Sequence, residues 1–490
     1  MLKSLKRLTR HSAVYGVGHI ITRLVNFLLL PLYTNVLSTE DFGATQIVYT
    51  FIAVMTILYT FGIDAAFLRY YILCEDKRRQ KTLFSVAFWT VAVAVLCFTS
   101  AILIFAKPID AFLITKGDYN HFFKYAAFIL GFDALTALPF LLLRALEKSM
   151  LYTALKFVNV IINVCLNVYL IVYQQMGAEG MLIANLWASG TTFLLTGFLW
   201  LKQLSFTFDF NELKTMIKFG LPFLPATLSV VILDLIDRPI IERLAGLEAT
   251  GIYSANAKLG MFMALLVTAF RFAWHPFFLS TAKQEGAKAI FSKVLTYVTL
   301  LNAAIFLLLC LFIADIVQIS IGGFTLLGKS YWSGLNVAPP ILLSYLFYGM
   351  YVNFMVGVYL KEKTKYLPLI TLSGMFVNII VNLIAIPKIG ILGAAWARLS
   401  GHLVMCVMLY FFAQRFYPIR YEFGRLAKLA GIIGAILFAQ HALNAEMLAS
   451  KVALFLLLPL SLTLVGFFEE RELNVIKKFI LPSGKGRKSG

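Results

Sequence analysis

Long apolar stretches recur along this chain, and the breaks between them alternate between rich and poor in Lys and Arg. A bilayer core about 30 Å thick needs roughly 20 apolar residues at about 1.5 Å of rise each. On that measure the sequence predicts fourteen spans, near 12–37, 41–73, 83–106, 122–146, 150–173, 180–203, 214–241, 250–280, 291–314, 336–360, 364–387, 390–416, 422–442 and 447–468. Of the 43 Lys and Arg residues, 29 fall at the N-terminus and in every second break, among them Lys3, Lys6, Arg7 and Arg10, then Lys77, Arg78, Arg79 and Lys81. The intervening breaks hold seven: Lys107, Lys116, Lys124, Arg243, Lys329, Lys388 and Lys451. Positive loops stay inside, so both termini are expected in the cytoplasm.

The net charge of +19 is then mostly a topology signal, with some attraction to anionic lipid. It does not indicate nucleic-acid binding, which needs a basic face on a soluble module. A chain that is 60% hydrophobic has no room for one. The first span is too long for a signal-peptide core and is expected to stay attached. Cys74, Cys97, Cys165, Cys310 and Cys406 form no close pair, so neither a disulfide framework nor a metal site is expected.

The chain also repeats itself. Shifted by 208, Lys6, Arg10, Pro31, Glu40 and Gly43 fall on Lys214, Lys218, Pro239, Glu248 and Gly251. Shifted by 215, Glu147-Lys148-Ser149 falls on Glu362-Lys363-Thr364, and Asn163 and Asn167 fall on Asn378 and Asn382. Shifted by 213, Gly177 and Gly180 fall on Gly390 and Gly393. The ordered series predicts two six-helix units, 1–210 and 211–418, followed by a hairpin at 419–468 and a basic cytoplasmic tail at 469–490. Six is an even number, so both units enter from the same side and the repeat is parallel. Two such bundles around a cavity suit alternating access by rocking. Pro31 and Pro239 hold equivalent places, and Pro222 and Pro225 break the inner half of the seventh span. Interrupted helices of this kind point towards a transport site.

Eleven ionisable residues fall at membrane depth: Arg23, Arg69, Lys156, Arg238, Lys258, Arg271 and Arg398, with Asp64, Asp133, Asp234 and Asp237. A central charge costs roughly 2.5–3.5 kcal/mol on insertion scales, so each is expected to face a polar cavity or a partner. Helical phase groups His19, Arg23 and Asn26 on the first span, Thr227, Asp234 and Arg238 on the seventh, and Tyr253, Asn256, Gly260, Thr268, Arg271 and His275 on the eighth. These three stripes are the expected cavity walls. Arg69 and Lys156 lie near helix ends and can snorkel. Asp234 and Arg238 stand four residues apart and can neutralise each other. Lys258 lies on the opposite face from the eighth-span stripe. Arg23, Arg271 and Arg398 have no acidic neighbour on their own helices and are the main candidates. Seven basic groups against four acidic ones favour an anionic ligand, and guanidinium suits phosphate. The paired asparagines read as glue between helices. Gly323 to Ser330 matches the G-x4-G-K-S phosphate-loop pattern, but it falls in an external break with no nucleotide-binding domain around it, so that role is rejected.

The stretch Asp237-Arg238-Pro239-Ile240-Ile241, continuing through Gly246, Gly251 and Tyr253 to Ala255, resembles a signature of bacterial polysaccharide-biosynthesis membrane proteins. Pro31 to Gly43 is similar to that family's opening segment, and Tyr331-Trp332-Ser333-Gly334 also fits it. These are the oligosaccharide-lipid flippases of the multidrug/oligosaccharidyl-lipid/polysaccharide exporter superfamily. The resemblance implies an all-α polytopic membrane protein with two parallel six-helix bundles in a V, as in the multidrug exporters. It implies export of an undecaprenyl-pyrophosphate-linked oligosaccharide across the bacterial inner membrane, not an enzymatic reaction. The implied partners are that lipid-linked oligosaccharide, membrane lipid and other polysaccharide-assembly proteins such as a polymerase or chain-length regulator. Related flippases place arginines of spans 1 and 8 near the pyrophosphate, which draws Arg23 and Arg271 to that role. The expected cavity set is Arg23, Arg271, Arg398, Asn26, Asn256 and His19. No cofactor is expected. Asp64, Asp234 and Asp237 are candidates for coupling to a Na⁺ or H⁺ gradient. Two other readings stand beside this one. A multidrug–cation antiporter of the same superfamily would want an acidic cavity, and a membrane polymerase or glycosyltransferase would want a larger external domain.

Overall fold

The structure is a computed structural model that describes residues 27–444, 446–470 and 472. Its outer surface is apolar where a water-soluble protein's is polar. Leu96, Phe112, Leu194, Phe411, Phe438 and Leu464 stand exposed on the outside, while Asn256, Asn353, Asn378 and Asn382 are fully buried. Apolar outside and amide inside is the arrangement that hydrocarbon solvent demands. The chain is a multi-pass membrane protein. Ten helices are long and apolar enough to cross a bilayer, or eleven if the bent pair Gly177–Leu195 and Gly197–Gln203 is one span.

One of the ten, Phe210–Thr281, runs for 72 residues, about 108 Å if helical throughout and far more than one crossing needs. It breaks at Gly246, whose φ of 88° and ψ of 174° are closed to other residues. It therefore carries both of the spans expected at 214–241 and 250–280. Leu448–Leu464 is apolar but shorter, and most of the span expected at 12–37 lies outside the described residues. Among the described residues the only strands are Ser320–Ile321 and Phe324–Thr325, a small antiparallel hairpin.

Positions matched by the repeat share their local geometry. Glu147 and Glu362 both take left-handed backbone, at φ 55° and 53°, and so do Gly177 and Gly390, at 58° and 61°. Asn167 donates to both oxygens of Asn163, and Asn382 does the same to Asn378. The glycine pair is the most telling. A Cβ on Gly43 would collide with the carbonyl of Leu247, and one on Gly251 would collide with that of Thr39. The two repeat-equivalent glycines thus pass each other where the helix Thr39–Thr60 crosses the segment after Gly246, which is the contact a two-fold relation between halves produces.

The ends of the molecule are closed differently. At the charge-poor end the first unit meets the hairpin region. Asn35 Nδ2 donates to the Thr325 carbonyl at 2.7 Å, the Gly328 amide donates to Thr34 Oγ1 at 2.9 Å, and the Tyr331 hydroxyl donates to the Leu37 and Ser38 carbonyls. Glu242, 2% exposed, accepts from both the amide and the hydroxyl of Thr115 at 2.7 Å. A Cβ on Gly328 would strike the Thr34 carbonyl. The end of the phosphate-loop look-alike is thus a packing surface against the helix Leu30–Val36.

Nearer the basic end, the second span breaks at Phe61 and Gly62 and restarts at Ile63. Gly62 there touches Gly220, each without room for a Cβ. Beyond it the closure consists of an exposed Arg79–Glu212 pair at 2.7 Å and Arg69 stacked 4.5 Å over Phe219. Gly220 precedes the 3-10 turn Leu221–Phe223, which carries Pro222, and the next helix starts with Pro225 in its first turn. The seventh span is therefore interrupted where its prolines predict. The C-terminal hairpin, Phe423–Ala442 with Leu448–Leu464, buries Leu429, Ile433, Leu454 and Leu458 in a cluster with Leu307 and Leu311 of the helix Ala287–Gln318. Lys451 ties it to Asp315 at 2.5 Å.

Candidate substrate cavity

Arg271 stands where the sequence places it, on the wall of a cavity of about 720 Å³. The helix Met261–Thr281 presents Arg271, Trp274 and His275 to this space, and the opposite wall is Tyr348, Tyr351 and Tyr359 of Ala338–Leu360. His275 packs edge-on against Tyr359, with ring centroids 5.3 Å apart. The buried Trp274 Nε1–H has no acceptor. Arg271 is exposed and forms no ion pair within 4 Å. Every Asp and Glu side chain of the chain lies among the described residues. A guanidinium, an imidazole and aromatic faces suit a phosphate attached to sugar. Thr227 lines this space and also a smaller one of about 320 Å³ that contains Asp64, Arg144 and Tyr152.

Arg398 comes out differently from the sequence reading. It is 4% exposed, and its Nη2 donates to Asp234 at 2.7 Å and to the Tyr345 hydroxyl at 3.0 Å. His402 Nε2 lies 3.8 Å from the same carboxylate oxygen. Sequence phase offered Asp234 to Arg238, four residues along one helix. The carboxylate instead bonds across to the helix Ile391–Phe416. Arg398 is therefore a compensated charge that ties two helices together. Arg238 is buried with Nε and Nη1 unpartnered, and the neighbouring Asp237 accepts from the Tyr253 hydroxyl.

The eighth-span stripe divides. Asn256 is fully buried and donates to the Tyr331 and Ile252 carbonyls at 2.8 Å. It belongs to the closure at the charge-poor end and not to the cavity wall. Gly260 packs against Ile341 and Tyr345. Only the later part of the stripe, Arg271 and His275, reaches the open space. The cause is local: Lys258–Gly260 form a 3-10 turn between two helices, so a uniform 3.6-residue phase does not carry across it. His19, Arg23 and Asn26 lie outside the described residues.

Two of the candidate coupling acids, Asp234 and Asp237, lie within electrostatic reach of Arg398, and the third stands apart. Asp234 is paired with Arg398, Asp237 is bonded to Tyr253, and Asp64 lines the smaller cavity. Among the described residues no three His, Cys, Asp or Glu side chains gather as a metal site. Lys156 sits 4.3 Å over the Phe140 ring within electrostatic reach of Asp133, and Arg69 sits over Phe219. Lys258 carried little weight in the sequence. It lines a separate polar pocket with Gln46, Asn159, Asn163 and Asn185. The 3-10 turn is again the reason, and one signal could have found it: a lysine at membrane depth with no acid within a helical turn.

Residues 8–282 match the family described as polysaccharide biosynthesis protein. A relative 22% identical over 421 residues, 83% of this chain and 98% of its own length, is the "Lsg locus putative protein 1" of Haemophilus influenzae. The fold is similar to that of the lipid II flippase MurJ in its inward closed conformation, with a TM-score of 0.73 and 14% identity over 91% of this chain and 98% of that one. It is also similar to an inward-facing multidrug resistance MATE family transporter of the MOP superfamily, with a TM-score of 0.62 and 15% identity over 82% and 97%.

Proposed function

Because the chain belongs to the polysaccharide biosynthesis protein family, we propose that it flips an undecaprenyl-pyrophosphate-linked oligosaccharide repeat unit across the bacterial cytoplasmic membrane. The repeat unit would feed O-antigen, capsule or exopolysaccharide assembly, and both termini would be cytoplasmic. The observation that carries this reading is Arg271, a cation without a carboxylate partner in a cavity of about 720 Å³ walled by His275 and three tyrosines. A pyrophosphate cannot cross hydrocarbon unpaired. Arg271 would take the diphosphate through two parallel N–H donors, with His275 and the Trp274 N–H as further donors. The tyrosines would stack on sugar faces while the polyprenyl tail remains in lipid.

Rocking of the units 1–210 and 211–418 would open the basic end first, load the headgroup, and then exchange one closure for the other. The breaks at Gly62 and at Leu221–Phe223 are the points where the inner halves can swing. A cationic-drug exporter fits this cavity less well, since an unpaired arginine would repel its cargo. The decisive variants are Arg271→Ala and Arg23→Ala. Each is expected to abolish surface polysaccharide while the protein still inserts in the membrane. Full display from both would refute the pyrophosphate assignment.

A further inference from the structure

Lys258 projects from the second unit into a pocket of about 330 Å³ whose other walls come almost wholly from the first unit. Among the described residues its ammonium forms no ion pair, and it lies over the rings of Phe42, at 4.8 Å, and Tyr33, at 5.8 Å. Arg238 lies within electrostatic reach and adds positive potential. Gln46, 5% exposed, presents an Nε2 donor with no partner. Asn163 accepts from Asn167 at Oδ1, and its amide N–H₂ makes no hydrogen bond among the described residues. A cation, unused amide donors and aromatic faces around a cavity larger than a few waters form an incomplete site: the missing component is an anion.

We infer that this pocket binds an anion, with Lys258 neutralising its charge and the Gln46 and Asn163 amides donating to it. The pocket is separate from the Arg271 cavity: none of its lining residues lines that space. One source of such a group is an acidic sugar of the transported glycan, a form of the inference that rests on the flippase reading. Another is a free small anion that the pocket takes up as the two units close. In either case the anion would bridge the units, since Lys258 is supplied by one and Gln46 and Asn163 by the other.

The test is calorimetric binding to the purified full-length protein in chloride-free buffer, using glucuronate, its neutral counterpart glucose, and chloride. The wild type is expected to bind glucuronate at least tenfold more tightly than glucose. Lys258→Met should lose that preference, and Lys258→Arg should retain it. Lys258→Met removes an uncompensated charge and should insert normally, so lost binding would not reflect lost folding. Chloride binding as tight as glucuronate would support the anion site and assign it to a free ion. Equal binding of glucose and glucuronate, or a preference that survives Lys258→Met, would overturn the inference. The measurement needs no transport, so its failure is distinct from failure of the flippase reading.

Discussion

The two closures of this molecule use the same device with different reinforcement. Each has a glycine crossing, Gly43 with Gly251 at the charge-poor end and Gly62 with Gly220 nearer the basic end. Around the first, hydrogen bonds from Asn35, Thr115, Gly328 and Tyr331 join the halves, those of Gly328 and Tyr331 being buried and the other two partly so. Around the second stand an Arg79–Glu212 pair in which Arg79 is 57% exposed and an exposed Arg69 on Phe219. Buried bonds resist opening because separating them strands desolvated groups, whereas an exposed ion pair exchanges readily with water. In the proposed transport cycle, the basic end is therefore the one expected to open from this state. That is the side from which a cytoplasmic substrate would load.

Substitutions that attack the two closures should separate them. Gly251→Val should have the largest effect. A Cβ there meets backbone and not a flexible side chain, so the helices must part at a cost of about 3 kcal/mol or more. The readout is thermal unfolding in detergent, and a loss below 1 kcal/mol would break the comparison. Asn256→Leu comes next. It leaves the Tyr331 carbonyl without its donor, with an expected cost of about 1–3 kcal/mol. Arg79→Ala should cost the least, within about 1 kcal/mol, yet it should change access. A thiol placed at Thr227, which lines both cavities, is expected to react faster with a membrane-impermeant reagent from the basic side in Arg79→Ala than in the parent. Faster labelling from the opposite side would reverse the account.

Much of this architecture is legible in the sequence because it depends on local rules. The Lys and Arg alternation follows loop by loop, and left-handed Glu147 and Glu362 sit in matching breaks that the repeat aligns. Asn163 with Asn167 and Asn378 with Asn382 pair along single helices, so their spacing reveals them. Charge partnership between helices is a different matter. Arg398 finds Asp234 across 164 residues, and no periodicity on either helix announces it. Lys258 and Asn256 escape phase analysis because the 3-10 turn at 258–260 resets the angular count within the span. Arg271 was readable because it lies beyond that turn, in a helix whose phase is uniform up to Pro276.

The central claim is that a lipid diphosphate crosses through the cavity on Arg271. It is tested most directly with purified protein in sealed vesicles containing an undecaprenyl-pyrophosphate-linked oligosaccharide, scoring the headgroups exposed on the far face. The account predicts rapid transfer by the wild type, at least a tenfold slower rate for Arg271→Ala, and partial recovery for Arg271→Lys. Transfer by Arg271→Ala at the wild-type rate would contradict it.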